Sequence, residues 1–171
     1  MKLATRLLMP LAAISLIAAP ALAQSFRIPT DSTPAVEIAK QSGWTERYDE
    51  HGNLTLFADD MAGAILLRMI TAAPGEPIPS NAEMAQVILT GAGAKPYTKS
   101  EKTTFAGGAA EAFYSVMSTE GGPVLNIKVV VRRFGDRGIA VGVTMVPEAS
   151  TAVQRQKVDA QFAQVDRKSV V

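Results

Sequence analysis

Three cations stand among apolar residues in strand-like stretches of this chain: Lys128 and Arg132 in "LNIKVVVRR", and Arg68 in "AILLRMIT". Arginine grips carboxylates with a fixed fork of donors and lysine with a mobile point charge, so cations sharing one surface suit an acidic ligand or a carboxylate on a partner protein. Side chains on a strand alternate, however, and cations at one parity can simply face water. Register decides between the two. Leu125, Ile127, Val129 and Val131 fall on one side of their strand, with Asn126, Lys128, Val130 and Arg132 on the other. In the next strand Ile139, Val141, Val143 and Met145 oppose Ala140, Gly142, Thr144 and Val146. The two large sets meet only if Val131 faces Val141, which requires a hairpin loop with an odd number of residues. Lys128 and Arg132 then stand over a floor of Ala140, Gly142 and Thr144, where their stems can lie while their charges reach water. A packed helix, solvent or an acidic ligand could fill the space above that floor. The reading taken is mainly a solvated face, with Lys128, Arg132 and Arg68 as the residues for ligand or partner binding.

Other chemistry has fewer parts. The chain has one histidine, His51, and no cysteine. Nucleophilic catalysis needs a nucleophile, a base in reach and an orienting group, and His51 sits in a predicted turn with no Gly-x-Ser-x-Gly elbow anywhere. A zinc set of histidines or cysteines is impossible. Asp49, Glu50, Asp59 and Asp60 could gather oxygen ligands for calcium, or supply the acid and base of a small periplasmic hydrolase near the first hairpin. Their spacing is not that of a calcium loop, and aspartates also stabilise turns through their own backbone. Met61, Met69, Met84, Met117 and Met145 are spread one per element, which suits core packing better than copper. No cofactor is expected.

The N-terminus reads as an export leader. Lys2 and Arg6 precede the apolar run 7–20, and Ala21-Leu22-Ala23 supplies small residues for cleavage, so residues 1–23 are set apart from the fold. The run is short for a membrane helix and is broken by Pro10 and Pro20, so no stable membrane insertion is expected after leader removal. Export without cysteine fits a bacterial periplasm. Taking Lys2 and Arg6 from 17 basic residues leaves the mature chain, 24–171, nearly balanced by its 16 acidic ones, which argues against a nucleic-acid partner.

Stepping along that mature chain, Thr33, Pro34 and Gly43 suggest a short helix. Stretches 44–49 and 53–57 read as a hairpin turning at Glu50-His51-Gly52, and 62–71 as a strand apolar on both faces. Prolines 74, 77 and 79 take the chain off the sheet. Ser80 and Glu83 then have capping-box spacing, with Met84, Val87 and Ile88 on one helix face and Gly91 as a stop. Four strands at 96–105, 109–118, 123–134 and 138–146 form an antiparallel meander. Ser150 caps a last helix striped by Val153, Val158, Phe162 and Val165.

This order of elements resembles the PsbP-like superfamily. The resemblance rests on the Trp44-containing first strand, the capped helix after the prolines, and "GGAAEAFYSV" leading through "LNIKVVV" and "GIAVGVTM" to a terminal helix. It implies one α+β domain over 24–171, an α/β/α sandwich with a mostly antiparallel six- to seven-stranded sheet and two main helices. It also implies a non-catalytic binding or envelope-assembly module, with an envelope protein or a small acidic ligand as partner. An immunity-type partner protein is a further alternative.

Overall fold

The later strands form because large and small residues alternate along them, so that each can bury one row of side chains on either face. The computed structural model describes residues 24–28, 36–71, 75–118, 120–136 and 138–165. The predicted leader, Thr33, Pro34 and Pro74 lie outside these. Strands β3 (Trp44–Tyr48), β4 (Leu54–Ala58), β5 (Ala64–Thr71), β6 (Lys99–Phe105), β7 (Gly108–Met117), β8 (Leu125–Arg133) and β9 (Gly138–Pro147) make one antiparallel sheet in the order β3-β4-β5-β9-β8-β7-β6. Two helices, α1 (Asn81–Gly91) and α2 (Ala152–Phe162), are found among the described residues. The chain is thus a single α+β domain, and neither helix is long and apolar enough to cross a membrane.

The β8–β9 register is the one expected: Val131 lies opposite Val141, and Lys128 opposite Thr144. Ile127, Val129 and Val131 join Ile139, Val141 and Val143 in a core with Phe113 beneath α1, which contributes Met84, Ala85 and Leu89. Burying a side chain of this size contributes about 1.5–3 kcal/mol. Both members of the predicted capping box are in place, Glu83 N to Ser80 and Ser80 N to Glu83. Val87, however, is 64% exposed; the helix turns Ala85 and Leu89 inward instead.

The opposite face is not the solvated one expected. It carries a second core, in which Leu54, Leu56, Ile65, Leu67, Val130 and Ala140 pack with Val158 and Phe162 of α2. The helix expected from Thr33 is a strand instead: β2 (Val36–Lys40) pairs antiparallel with β1 (Gln24–Ile28), and this ribbon lays Phe26, Val36 and Ile38 on the same core. The alternation Val36-Glu37-Ile38 outweighs the helix-start residues before it, because burying Val36 and Ile38 on the sheet needs a period of two.

Helix α2 is capped by Thr151, one residue later than the expected Ser150, with its own capping box to Gln154. Val153 is 75% exposed, and the buried stripe is Val158, Gln161, Phe162 and Val165. Gln161 is fully buried. It accepts from Gln41 N at 2.8 Å and donates to Ala39 O at 2.9 Å, tying the helix to the end of β2.

Candidate functional site

Beside α2, over β6, β7 and β8, lies a groove of about 900 Å³ lined by Thr103, Phe105, Ala112, Tyr114, Lys128 and Phe162, among others. Local sequence explains why it exists. Ala112 and Val130 are neighbours across β7 and β8, and Gly142 continues the row on β9, so the sheet presents low relief there. Phe105 from β6 and Phe162 from α2 stack over Gly142, with centroids 5.3 Å apart and planes 7° from parallel. A Cβ on Gly142 would stand 2.7 Å from both rings. The space above the predicted floor is therefore filled in its centre by a helix and an edge-strand ring, and remains open toward β6 and β7.

At one end the groove meets a second hollow of about 450 Å³, which shares Tyr114, Lys128 and Asp159 with it and adds Asn126, Thr144 and Arg155. The shared wall is a line of alternating charges. Lys128 Nζ lies 3.1 Å from Asp159 Oδ1 and 5.1 Å from the centre of the Phe162 ring. Tyr114, opposite Lys128 on β7, donates its hydroxyl to Glu101, which is also paired with Lys99 at 2.6 Å. Burial, reinforced by that bond to Glu101, pushes the Tyr114 phenol up to about 12. Lys99 and Tyr114 hold the Glu101 carboxyl below its usual range. A tyrosine whose folded pKa is raised contributes stability present below its unfolded value near 10 and lost as pH rises through about 12. Ultraviolet titration should accordingly show one phenol ionising near pH 12, and Glu101→Gln should bring it down.

Lys128 and Arg132, both predicted as site residues, share this face but not one role. Lys128 is at the groove wall, and the carboxylate it meets is the chain's own Asp159. Arg132 donates to Phe105 O and Ala106 O and lies 4.4 Å from the Phe134 ring centre, so its fork is occupied by backbone. It lies so close over Gly108 that a Cβ there would be 2.6 Å from the guanidinium carbon. Ala106 has φ +47, in the left-handed region that costs a non-glycine residue about 1 kcal/mol, and Arg132 braces that turn. Burial lowers the guanidinium's pKa from its ordinary value. The expectation that both cations merely reach water is corrected on this point: each is half-buried and partnered. Arg132→Met is expected to cost about 1–2 kcal/mol through its lost charged hydrogen bonds, and Lys128→Met less than about 1 kcal/mol; urea denaturation of the two variants separates them.

Arg68 is not brought to this groove. It pairs in register with Val141, which belongs to the α1 face, so it points to the other side of the sheet.

The acidic residues of the first hairpin are occupied locally. Asp49 accepts from His51 N, Asn53 N and Asn53 Nδ2, which close the turn at Gly52 (φ +74). Asn53 holds its carboxyl below the usual range. Asp60 pairs with Lys157 at 3.0 Å, and Asp59 accepts from Thr45 at 2.9 Å. The His51 side chain is 71% exposed, with Glu50 at 3.6 Å. Among the described residues no three His, Cys, Asp or Glu side chains are grouped to hold a metal ion. Of Met61, Met69, Met84, Met117 and Met145, four pack on the cores, and Met61 is exposed. The residues sequence reasoning missed are Tyr114, Asp159 and Phe162 as groove walls; Tyr114 could have been found by extending the Lys128 register one strand further.

No protein-family model matches the chain, and no curated protein matches it. Among solved structures, the Saccharomyces cerevisiae Ran-binding protein Mog1p superposes with a TM-score of 0.52 at 10% identity, over 87% of this chain and 100% of its own. A mutant of protein Mog1 gives 0.50 at 11% identity, over 84% and 97%. A crystal structure from Bacteroides thetaiotaomicron VPI-5482 gives 0.45 at 16% identity over 74% of this chain, which spans 43% of that longer one. At such identities the likeness to Mog1 is one of fold.

Proposed function

We propose that the chain is an exported, PsbP-like α/β/α sandwich acting as a non-catalytic binding module of the bacterial envelope, with the α2 groove as its site and a protein segment as its ligand. The observation that carries this is the groove's wall: Tyr114, Lys128 and Asp159 converge there with apolar Phe162 and Val130, and every charge in the line has an internal counter-charge. A balanced, half-apolar cleft suits a polypeptide with mixed side chains, which can exchange those internal pairs for its own. A small acidic ligand fits less well, because Asp159 would compete with it at Lys128. Catalysis has no support from the groove, since no histidine is among the residues that line it and Tyr114 is held protonated at neutral pH. That a protein of this fold is named a Ran-binding protein also favours a protein partner over a reaction.

The test is made in a bacterial host carrying the full chain. The recovered product should begin at Gln24. A photo-crosslinker at Thr103 should give one discrete envelope adduct, which Lys128→Asp weakens and Lys128→Asp with Asp159→Lys restores. An adduct indifferent to these changes, or a hydrolytic turnover abolished by His51→Ala, sinks the reading.

A further inference from the structure

On the face away from the groove, the described residues cover the sheet over only part of its width. Seven strands spaced about 4.8 Å apart make a sheet about 29 Å across, whereas one helix covers about 10 Å. Helix α1 lies against β8 and β7. The strips of β5, β4 and β3 on that face are left without a helix among the described residues. Register shows what they present: Arg47 of β3, Phe57 of β4, and Leu66, Arg68 and Ile70 of β5. Phe57 is 44% exposed, Arg47 and Arg68 are exposed, and Leu66 and Ile70 are half-buried. Phe57 thus stands exposed beside Leu66 and Ile70, which pack at the edge of the core under α1.

The charges on this strip have one sign. Among the described residues neither Arg47 nor Arg68 has a salt-bridge partner. None of the residues that β3, β4 and β5 turn to this face is acidic; Asp59, at the rim, is bonded to Thr45. From strand spacing the Cα atoms of the two arginines are about 12 Å apart, on the strands either side of β4, with Thr55 between them and Phe57 one pair further along β4. That is the width of a helix lying along the strands.

We propose that this strip docks one amphipathic helix of a partner protein, apolar toward Phe57 and Leu66 and with carboxylates on both flanks toward Arg47 and Arg68. A second copy of this chain is the wrong occupant, because a two-fold contact would set Arg47 and Arg68 against the same pair with no carboxylate between them. The surface is separate from the groove, so each stands or falls by itself.

The test uses the protein recovered from a bacterial host carrying the full chain, and a 16-residue synthetic helix with leucines three and four apart and glutamates on both flanks. A second peptide carries lysines in place of the glutamates. The glutamate peptide should shift backbone amide resonances of β3, β4 and β5, and Arg68→Glu or Phe57→Asp should weaken it about tenfold or more. Lys128→Glu should leave its affinity unchanged. The lysine peptide should bind only the Arg47→Glu, Arg68→Glu chain. If that double variant does not fold, Arg68→Gln and Arg47→Gln singly should each weaken the glutamate peptide. Equal binding of both peptides, shifts confined to β6 and α2, or concentration-dependent self-association through Phe57 overturns the proposal.

Discussion

Gly142→Val is expected to destabilise the protein by about 3–4 kcal/mol, a fall in thermal midpoint on the order of 10 °C. Gly142 sits between Val130 and Leu67 in register, with Phe105 and Phe162 stacked over it. A Cβ alone would be 2.7 Å from Phe105 Cζ and from two ring atoms of Phe162, and two more methyls have nowhere to go. These atoms are the ends of rigid rings held in a packed core, so relief requires α2 to lift. Gly142→Ala gains a little from reduced unfolded-state freedom, about 0.4–1 kcal/mol, which cannot offset the clash. Pairing each change with Phe162→Leu separates crowding from other causes: the double variant should be less destabilised than the sum of the singles. Additive effects, or a Gly142→Val loss under about 0.5 kcal/mol, would falsify the account. Because both rings also line the groove, the same variants should alter crosslinking from Thr103.

Much of this arrangement is legible in the sequence, and the reasons differ from element to element. The β8–β9 pairing is readable because both strands alternate strongly, so only one parity of loop lets Val131 meet Val141. The small floor Ala140-Gly142-Thr144 is readable for the same reason. What covers that floor is not. Phe105 ends the otherwise polar run Lys99-Ser100-Glu101-Lys102-Thr103-Thr104, and Phe162 belongs to a helix whose inward stripe includes a glutamine and excludes Val153. Both rings arrive through tertiary packing of elements whose own pattern is weak, so local reading assigns the space to water. The β1–β2 ribbon is hidden by Pro34 and Gly43, which mark helix ends and turns alike. Arg68 is grouped with Lys128 and Arg132 by composition alone; the β5–β9 register, a non-local crossover, separates them onto opposite faces.

The fold and the candidate surfaces are linked by that separation. On the groove side, cations are matched inside the molecule: Lys128 by Asp159, Lys157 by Asp60, Arg132 by carbonyls. On the opposite side, Arg47 and Arg68 have no such counterpart among the described residues. A matched charge is open to a newcomer only by exchange of its internal pair, whereas an unmatched one is available to an acidic partner at small desolvation cost.

Gln161→Leu is expected to cost about 2–4 kcal/mol even though it places a larger apolar surface in an apolar core. Gln161 is wholly buried, and its amide satisfies Gln41 N and Ala39 O at the end of β2. Leucine leaves both backbone groups unpaired, and an unsatisfied buried donor or acceptor costs about 1–3 kcal/mol each. Val165 bridges Ile38 just beyond, so the loss should also loosen the β1–β2 ribbon from α2, seen as faster amide exchange at Ile38 and Gln41. Gln161→Glu gives the sharper measurement. A neutral carboxyl can accept from Gln41 N and donate to Ala39 O as the amide does, but a carboxylate cannot donate and would face the carbonyl. Its folded pKa must then be raised above the unfolded one. The stability it retains is full below the unfolded value near 4.3 and is lost as pH rises through the folded value. The wild-type chain runs the other way, because Asp49, Asp60 and Glu101 are held below their usual range and lose their contribution as pH falls. The gap between wild type and Gln161→Glu should therefore narrow from pH 7 toward pH 4, while the gap to Gln161→Leu stays flat. A Gln161→Glu gap that is flat as well would mean that the two hydrogen bonds do not hold α2 to the ribbon.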